Sequence, residues 1–215
     1  MKKPAVLLLV VLSLFAASAT AYDISLGHRD AVVFDTPVFP QISVTGNHLR
    51  GELRILGADQ SDLLFTYFTE GKHFGFETGF HAQTTGLEAL SFSPFADATY
   101  TQEFGFMTLR LELGAQVSVL KTKYVKQYMF AFMPVFSAEM TFSLNRFALG
   151  LYLDDHNIND MAWRTFPVFG AKVSYRACQS VTLYTDVWAR ATEYLVDRWL
   201  MISSGGFRVG ARIER

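Results

Sequence analysis

The residues able to do chemistry in this chain recur at every second position. Arg50, Glu52 and Arg54 alternate with Leu49, Gly51, Leu53 and Ile55. Glu77 and His81 stand with Gly75, Gly79 and Gln83 against Phe74, Phe76, Thr78, Phe80 and Ala82. Arg110 and Glu112, with Gly114, Gln116 and Ser118, oppose Leu109, Leu111, Leu113, Ala115, Val117 and Val119. Asp186, Trp188 and Arg190 oppose Val181, Leu183, Thr185, Val187, Ala189 and Ala191; Arg208 and Arg212 oppose Phe207, Val209, Ala211 and Ile213. A strand sends successive side chains to opposite faces, whereas helical spacing would scatter these charges around the circumference. The ionic face, with Glu139, holds both signs. Turned inward, it can form a packed set of ion pairs, or a constriction that selects solutes by charge.

A second candidate is Asp154-Asp155-His156, followed by Asn157, Asn159 and Asp160. Acid–histidine pairs can activate water and oxygen-rich loops can hold calcium, but the spacing fits no EF-hand. The segment reads as a solvated acidic loop that also carries Trp163; Tyr194 and Trp199 mark another surface loop. His28, His48 and His73 lack metal-ligand spacing. No nucleophile elbow, phosphate loop or H-E-x-x-H motif is present. The expectation is a protein without metal, cofactor or catalytic set.

Composition narrows the setting. Of 215 residues half are hydrophobic, 15% aromatic and 18% charged, and the formal charge is -1. Disorder is excluded by that apolar content, and nucleic-acid binding by the absence of a basic cluster. The single cysteine, Cys178, permits no internal disulfide. Met1-Lys2-Lys3, the apolar run Ala5 to Phe15 and Ala19-Thr20-Ala21 have the order of a secretory signal peptide, with cleavage expected before Tyr22. Residues 22–215 then form one domain. Removing Lys2 and Lys3 leaves 17 basic residues against 20 acidic ones, and only five lysines. After Tyr22 no run of 18 apolar residues follows, so no helix is expected to span a membrane. A closed β-barrel is the other structure that satisfies its backbone hydrogen bonds in lipid.

Further strands are expected at Tyr128–Leu144, Phe147–Asp154 and Pro167–Arg176, with Pro134 favouring an edge, bulge or unpaired position. Asn145-Arg146 suits a tight hairpin. The connections after Asp154 and after Thr192 are longer, giving short and long links in alternation. No internal repeat is evident. Six strands are legible from about Phe104 onward. The region before Gln83 adds two if Leu49–Thr69 is one strand. It adds four if Asp59–Asp62 is a turn and Ile24–Phe34 also a strand. The reading is an all-β, antiparallel up-and-down transmembrane β-barrel of about eight strands, ten being the alternative.

A soluble barrel would turn the apolar face inward. Scarce lysine, glycines on the polar face, and aromatics near strand ends (Phe104, Tyr124, Tyr128, Phe147, Tyr175, Phe207) favour the inverse. With these features the chain resembles the small bacterial outer-membrane β-barrels, including the OmpW-like and OmpA-like eight-stranded groups. The last strand, Gly206-Phe207-Arg208-Val209-Gly210-Ala211-Arg212-Ile213, is similar to the segment that the barrel-assembly machinery recognises, although the chain ends Ile213-Glu214-Arg215 rather than on an aromatic residue. The resemblance implies outer-membrane lipid and that machinery as partners. It implies passage of small or hydrophobic solutes through the lumen or a lateral opening. The alternative is a structural or adhesin-type barrel whose loops bind host or envelope molecules.

Overall fold

The computed structural model describes residues 20–29, 39–55, 60–85, 89–124, 127–155, 167–193 and 200–214. They form twelve strands: β1 (Ala21–Arg29), β2 (Phe39–Thr45), β3 (Leu49–Ile55), β4 (Gln60–Glu70), β5 (Phe74–Thr85), β6 (Ala89–Phe104), β7 (Met107–Thr122), β8 (Met129–Leu144), β9 (Phe147–Asp154), β10 (Val168–Cys178), β11 (Val181–Glu193) and β12 (Leu200–Glu214). Each pairs antiparallel with its neighbours in sequence, and β12 closes the ring onto β1 from Ala21↔Glu214 to Arg29↔Gly206. The all-β, up-and-down architecture is as read from the alternation. The strand number is not: the ring has twelve strands rather than eight or ten.

The missing strands have identifiable causes. Leu49–Thr69 is split into β3 and β4, and Ala21–Arg29 stands apart from β2. Strand β2 has only seven residues, and its short alternation includes Pro40 on the apolar face. In β6, Pro94, Ala96 and Ala98 thin the apolar stripe while Phe95 enters the polar one, so its alternation carries little contrast. Pro134 was expected to disturb β8, yet it sits in continuous register opposite Ala115. The prolines at 94 and 134 both belong to the outward parity.

Two-residue turns at Gly105-Phe106 and Asn145-Arg146 close β6–β7 and β8–β9. Gly105 (φ 68°) and Asn145 (φ 53°) take the left-handed conformation that suits glycine and asparagine in such turns. The links at residues 46–48, 71–73 and 179–180 lie at the same end, together with Ala21 and Glu214. Two of these turns share a design the sequence reading did not find. In Gly46-Asn47-His48 and Gly71-Lys72-His73, the glycine amide donates to Leu49 O (2.7 Å) and Phe74 O (2.9 Å). His48 and His73 each place Nδ1 3.3 Å from a carbonyl of the next strand, Phe68 O and Thr101 O. This end also gathers aromatic pairs, Phe74 with Tyr100 and Phe147 with Tyr175. Phe207, expected at a strand end, lies within β12 opposite Val187.

The two faces of the wall differ as the alternation requires. Leu113 (69% exposed), Phe130 (71%) and Phe132 (72%) project outward with many other large apolar residues. Each such side chain left in water forgoes about 1.5–3 kcal/mol of burial. A contiguous apolar belt of this extent marks a surface that meets another apolar phase rather than water. The outer face therefore requires an apolar medium. Asp62, Glu77, His81, Asp97, Gln116 and Asp186 are buried on the opposite face.

Candidate functional site: the ionic lumen

The register places every charged lumen candidate whose side chain is described on the interior parity. Arg50, Glu52 and Arg54 in β3 face Thr45, Ser43 and Gln41 on one side and Thr66, Leu64 and Asp62 on the other. Glu77 and His81 in β5 lie beside Asp97 and Ser93 of β6. Arg110 and Glu112 in β7 lie beside Glu139 and Ser137 of β8. Asp186 joins Lys172 of β10 to Arg208 of β12, while Trp188 pairs with Gly170 and Gly206, and Arg212 with Thr182 and Asp23. Arg190 occupies the register position between Val168 and Ser204.

Three clusters result. In the first, Arg54 donates through Nε to Glu52 at 2.7 Å and stands 3.6 Å from Asp62, which is itself paired with His81. In the second, Arg110 is paired with Glu77 and with Glu112 (2.7 Å), and approaches Glu70 at 4.0 Å; Ser137 donates to Glu112 at 2.8 Å. These groups lie on β4, β5, β7 and β8, so the cluster around one guanidinium spans four strands.

The third cluster is built differently. Tyr152 of β9 lies across Gly170 of β10 and donates to Asp186 of β11 at 2.9 Å. Tyr184 of β11 lies across Gly210 of β12 and donates to Asp23 of β1 at 2.5 Å. A Cβ at Gly170 would strike the Tyr152 ring, and one at Gly210 would strike that of Tyr184. The missing side chains let both rings lie along the wall rather than across the lumen. Arg208 donates to Asp186 at 2.9 Å; its guanidinium lies 5.5 Å from the Tyr184 ring centroid, and Lys172 Nζ 4.7 Å. The sequence reading named Asp186 and Arg208 but missed Tyr152, Tyr184, Asp23 and Lys172. The available signal was tyrosine on the polar parity of one strand facing glycine on the next.

The loop candidates fare differently. Asp154 is not in a loop: it ends β9 on the interior parity, opposite Ser137 and Val168. Asp155 follows it, half-buried, its amide donating to Phe136 O at 2.9 Å. His156, Asp160, Trp163, Tyr194 and Trp199 lie outside the described residues, as do residues 1–19 of the expected signal peptide. Cys178 is exposed at the end of β10.

Ser93, His81 and Asp62 bring together the residue types of a hydrolytic triad on β6, β5 and β4. Ser93 is fully buried and donates to Ser118 at 3.0 Å, and Gln116 donates to the same oxygen. This arrangement cross-links the wall and gives no substrate a path to the hydroxyl. On the outer wall, Ala138, Ala171 and Ala189 floor an apolar depression of about 680 Å³. Strands β8–β11 beneath it are continuously paired, so it is not a lateral opening.

The fold is that of small β-barrel porins. A KdgM porin, solved in complex with disordered oligogalacturonate, aligns with a TM-score of 0.58 at 12% identity, covering 91% of this chain and 99% of that one. A NanC porin aligns with a TM-score of 0.59 at 10% identity, covering 90% of this chain and all of the other. At such identity the likeness is one of fold. It replaces the eight-stranded OmpW-like and OmpA-like groups as the structural comparison, since those barrels have fewer strands. No family model and no curated protein sequence matches the chain.

Proposed function

We propose that this protein is an outer-membrane channel for small polar solutes. One observation carries the reading: a closed twelve-stranded ring with an apolar outside and a charged inside. Eight strands give an interior that side chains fill, and sixteen to eighteen give a wide aqueous pore. Twelve strands fall between, which suits a narrow path bounded by side chains. The clusters around Arg54, Arg110 and Arg208 form its constriction, with Arg50, Glu52, Glu77, His81, Glu112, Asp186, Trp188, Arg190 and Arg212 on the same parity. A lumen with this face favours polar over hydrophobic solutes.

In this reading residues 1–21 are the export signal and the short-turn end faces the periplasm. Outer-membrane lipid covers the apolar belt, and Gly206–Ile213 of β12 is the segment offered to the assembly machinery. The protein acts without catalysis or cofactor. Purified, folded protein should produce discrete conductance steps in planar lipid bilayers. Silent bilayers, from protein that migrates as a folded heat-modifiable band, would refute the channel and favour a role for the loops.

A further inference from the structure

We infer that the lumen selects cations, and that one wall carries the selectivity; this rests on the channel reading above. Strands β3–β8 present Glu52, Asp62, Glu77, Asp97, Glu112 and Glu139 to the interior against Arg50, Arg54 and Arg110. The other six strands present Asp23, Asp154 and Asp186 against Lys172, Arg176, Arg208 and Arg212. Glu70, Glu103 and Glu214 follow the same parity at the short-turn mouth. The acidic excess therefore lies along one half of the ring, and the charges of the other half are close to balanced.

Within the wall, away from the Glu70 mouth, three arginines are more exposed than the acids they pair with. The side chains of Arg54, Arg110 and Arg208 keep 36%, 27% and 21% exposure, against 3%, 12% and 6% for Asp62, Glu77 and Asp186. At contact an anion would meet guanidinium first. Near the axis the balance reverses, because the field of a matched pair falls off faster with distance than that of an unmatched charge. Arg110 serves Glu77 and Glu112, with Glu70 at 4.0 Å, so that cluster keeps a negative remainder. Across the lumen, Lys172 and Arg208 are held near the face of Tyr184, whose negative π-cloud draws them toward the wall. A solute on the axis thus passes between a net acidic wall and a nearly neutral one. Such fields raise the local concentration of ions of opposite sign. The solute class is small inorganic cations and organic ammonium ions, unlike the oligogalacturonate of the KdgM complex.

The test is the reversal potential of the folded channel in a planar bilayer under a KCl gradient. The expected sign is that of potassium, with a several-fold preference over chloride. That preference should shrink as the salt is raised from 0.1 M to 1 M, because the screening length falls from about 10 Å to about 3 Å. Glu77→Gln with Glu112→Gln should lower the potassium-to-chloride ratio, whereas Lys172→Gln should raise it. The salt series on the unaltered protein stands even if the double variant fails to fold. A chloride-signed potential overturns the inference and leaves the channel intact. A potassium preference that both variants lower equally overturns the one-wall assignment. Absence of conductance removes both readings together.

Discussion

The two halves of the lumen solve the burial of charge by different means. On β3–β8, acids converge on shared cations: Arg110 with Glu77 and Glu112, Arg54 with Glu52 and Asp62. From β9 round to β1, carboxylates are met by phenolic hydroxyls, Tyr152 on Asp186 and Tyr184 on Asp23. The first solution concentrates dependence in single side chains, because losing a buried ion's partner costs several kcal/mol. The second spreads it over hydrogen bonds from neutral donors, worth about 1.5–3 kcal/mol each to a charged acceptor. The glycines differ in the same way. A Cβ at Gly114 would run into Ala96 O and the Asp97 main chain as well as its carboxylate, whereas one at Gly170 would first meet the Tyr152 ring. One wall is held by backbone contact, the other by a side chain able to rotate away.

Substitutions should separate the two walls, beginning with the largest effect. Gly114→Val should prevent closure of the acidic wall, because main-chain atoms block the added carbons. Loss of the heat-modifiable folded band would show it, and normal folding would break the comparison. Arg110→Met strands Glu77 and Glu112 together, for an expected loss of about 2–3 kcal/mol; this lies below the usual range for a buried pair because Arg110 is partly exposed. Urea unfolding in lipid followed by tryptophan fluorescence would measure it, with Arg208→Met as the milder counterpart, since Asp186 keeps Tyr152. Gly170→Ala should fold and lose about 1–3 kcal/mol, yet turn Tyr152 into the lumen and lower single-channel conductance. Tyr184→Phe removes one hydroxyl and should cost about 1.5 kcal/mol, the low end for a bond to a charged group because Asp23 is half-buried, with little change in conductance.

Period-two patterning carried most of the fold where both faces were strongly marked. In Leu109–Val119 and Val181–Ala191 one face is apolar or small and the other polar, so strand and sides could be assigned together. It failed where the contrast was weak. Strand β2 is short, β6 mixes Phe95 into the polar stripe, and the break within Leu49–Thr69 is marked only by the polar run Asp59–Asp62, which the eight-strand reading passes over. Lumen parity was legible for Arg50 through Arg212 because charge itself marks the interior of an inverted barrel. Partnership was not legible, since Glu77 meets Arg110 from two strands away, and Tyr184 meets Asp23 across the closure of the chain. Such pairs depend on how far each strand is staggered against the next, which no local window contains.

The two tyrosines share one stagger. Tyr152 faces Gly170, which faces Trp188, and the accepting acid stands two residues before it; Tyr184 faces Gly210, which faces Ser25, and the acid again stands two residues before. Tyr184 therefore works as a key across the seam where the last strand meets the first. A slip of one residue there would exchange inside for outside. A slip of two would put Ser25 or Ala21 where the Tyr184 hydroxyl now meets Asp23. Only the observed alignment gives the Tyr184 hydroxyl its carboxylate, so closure of the ring is checked by a hydrogen bond as well as by the greasy and ionic stripes.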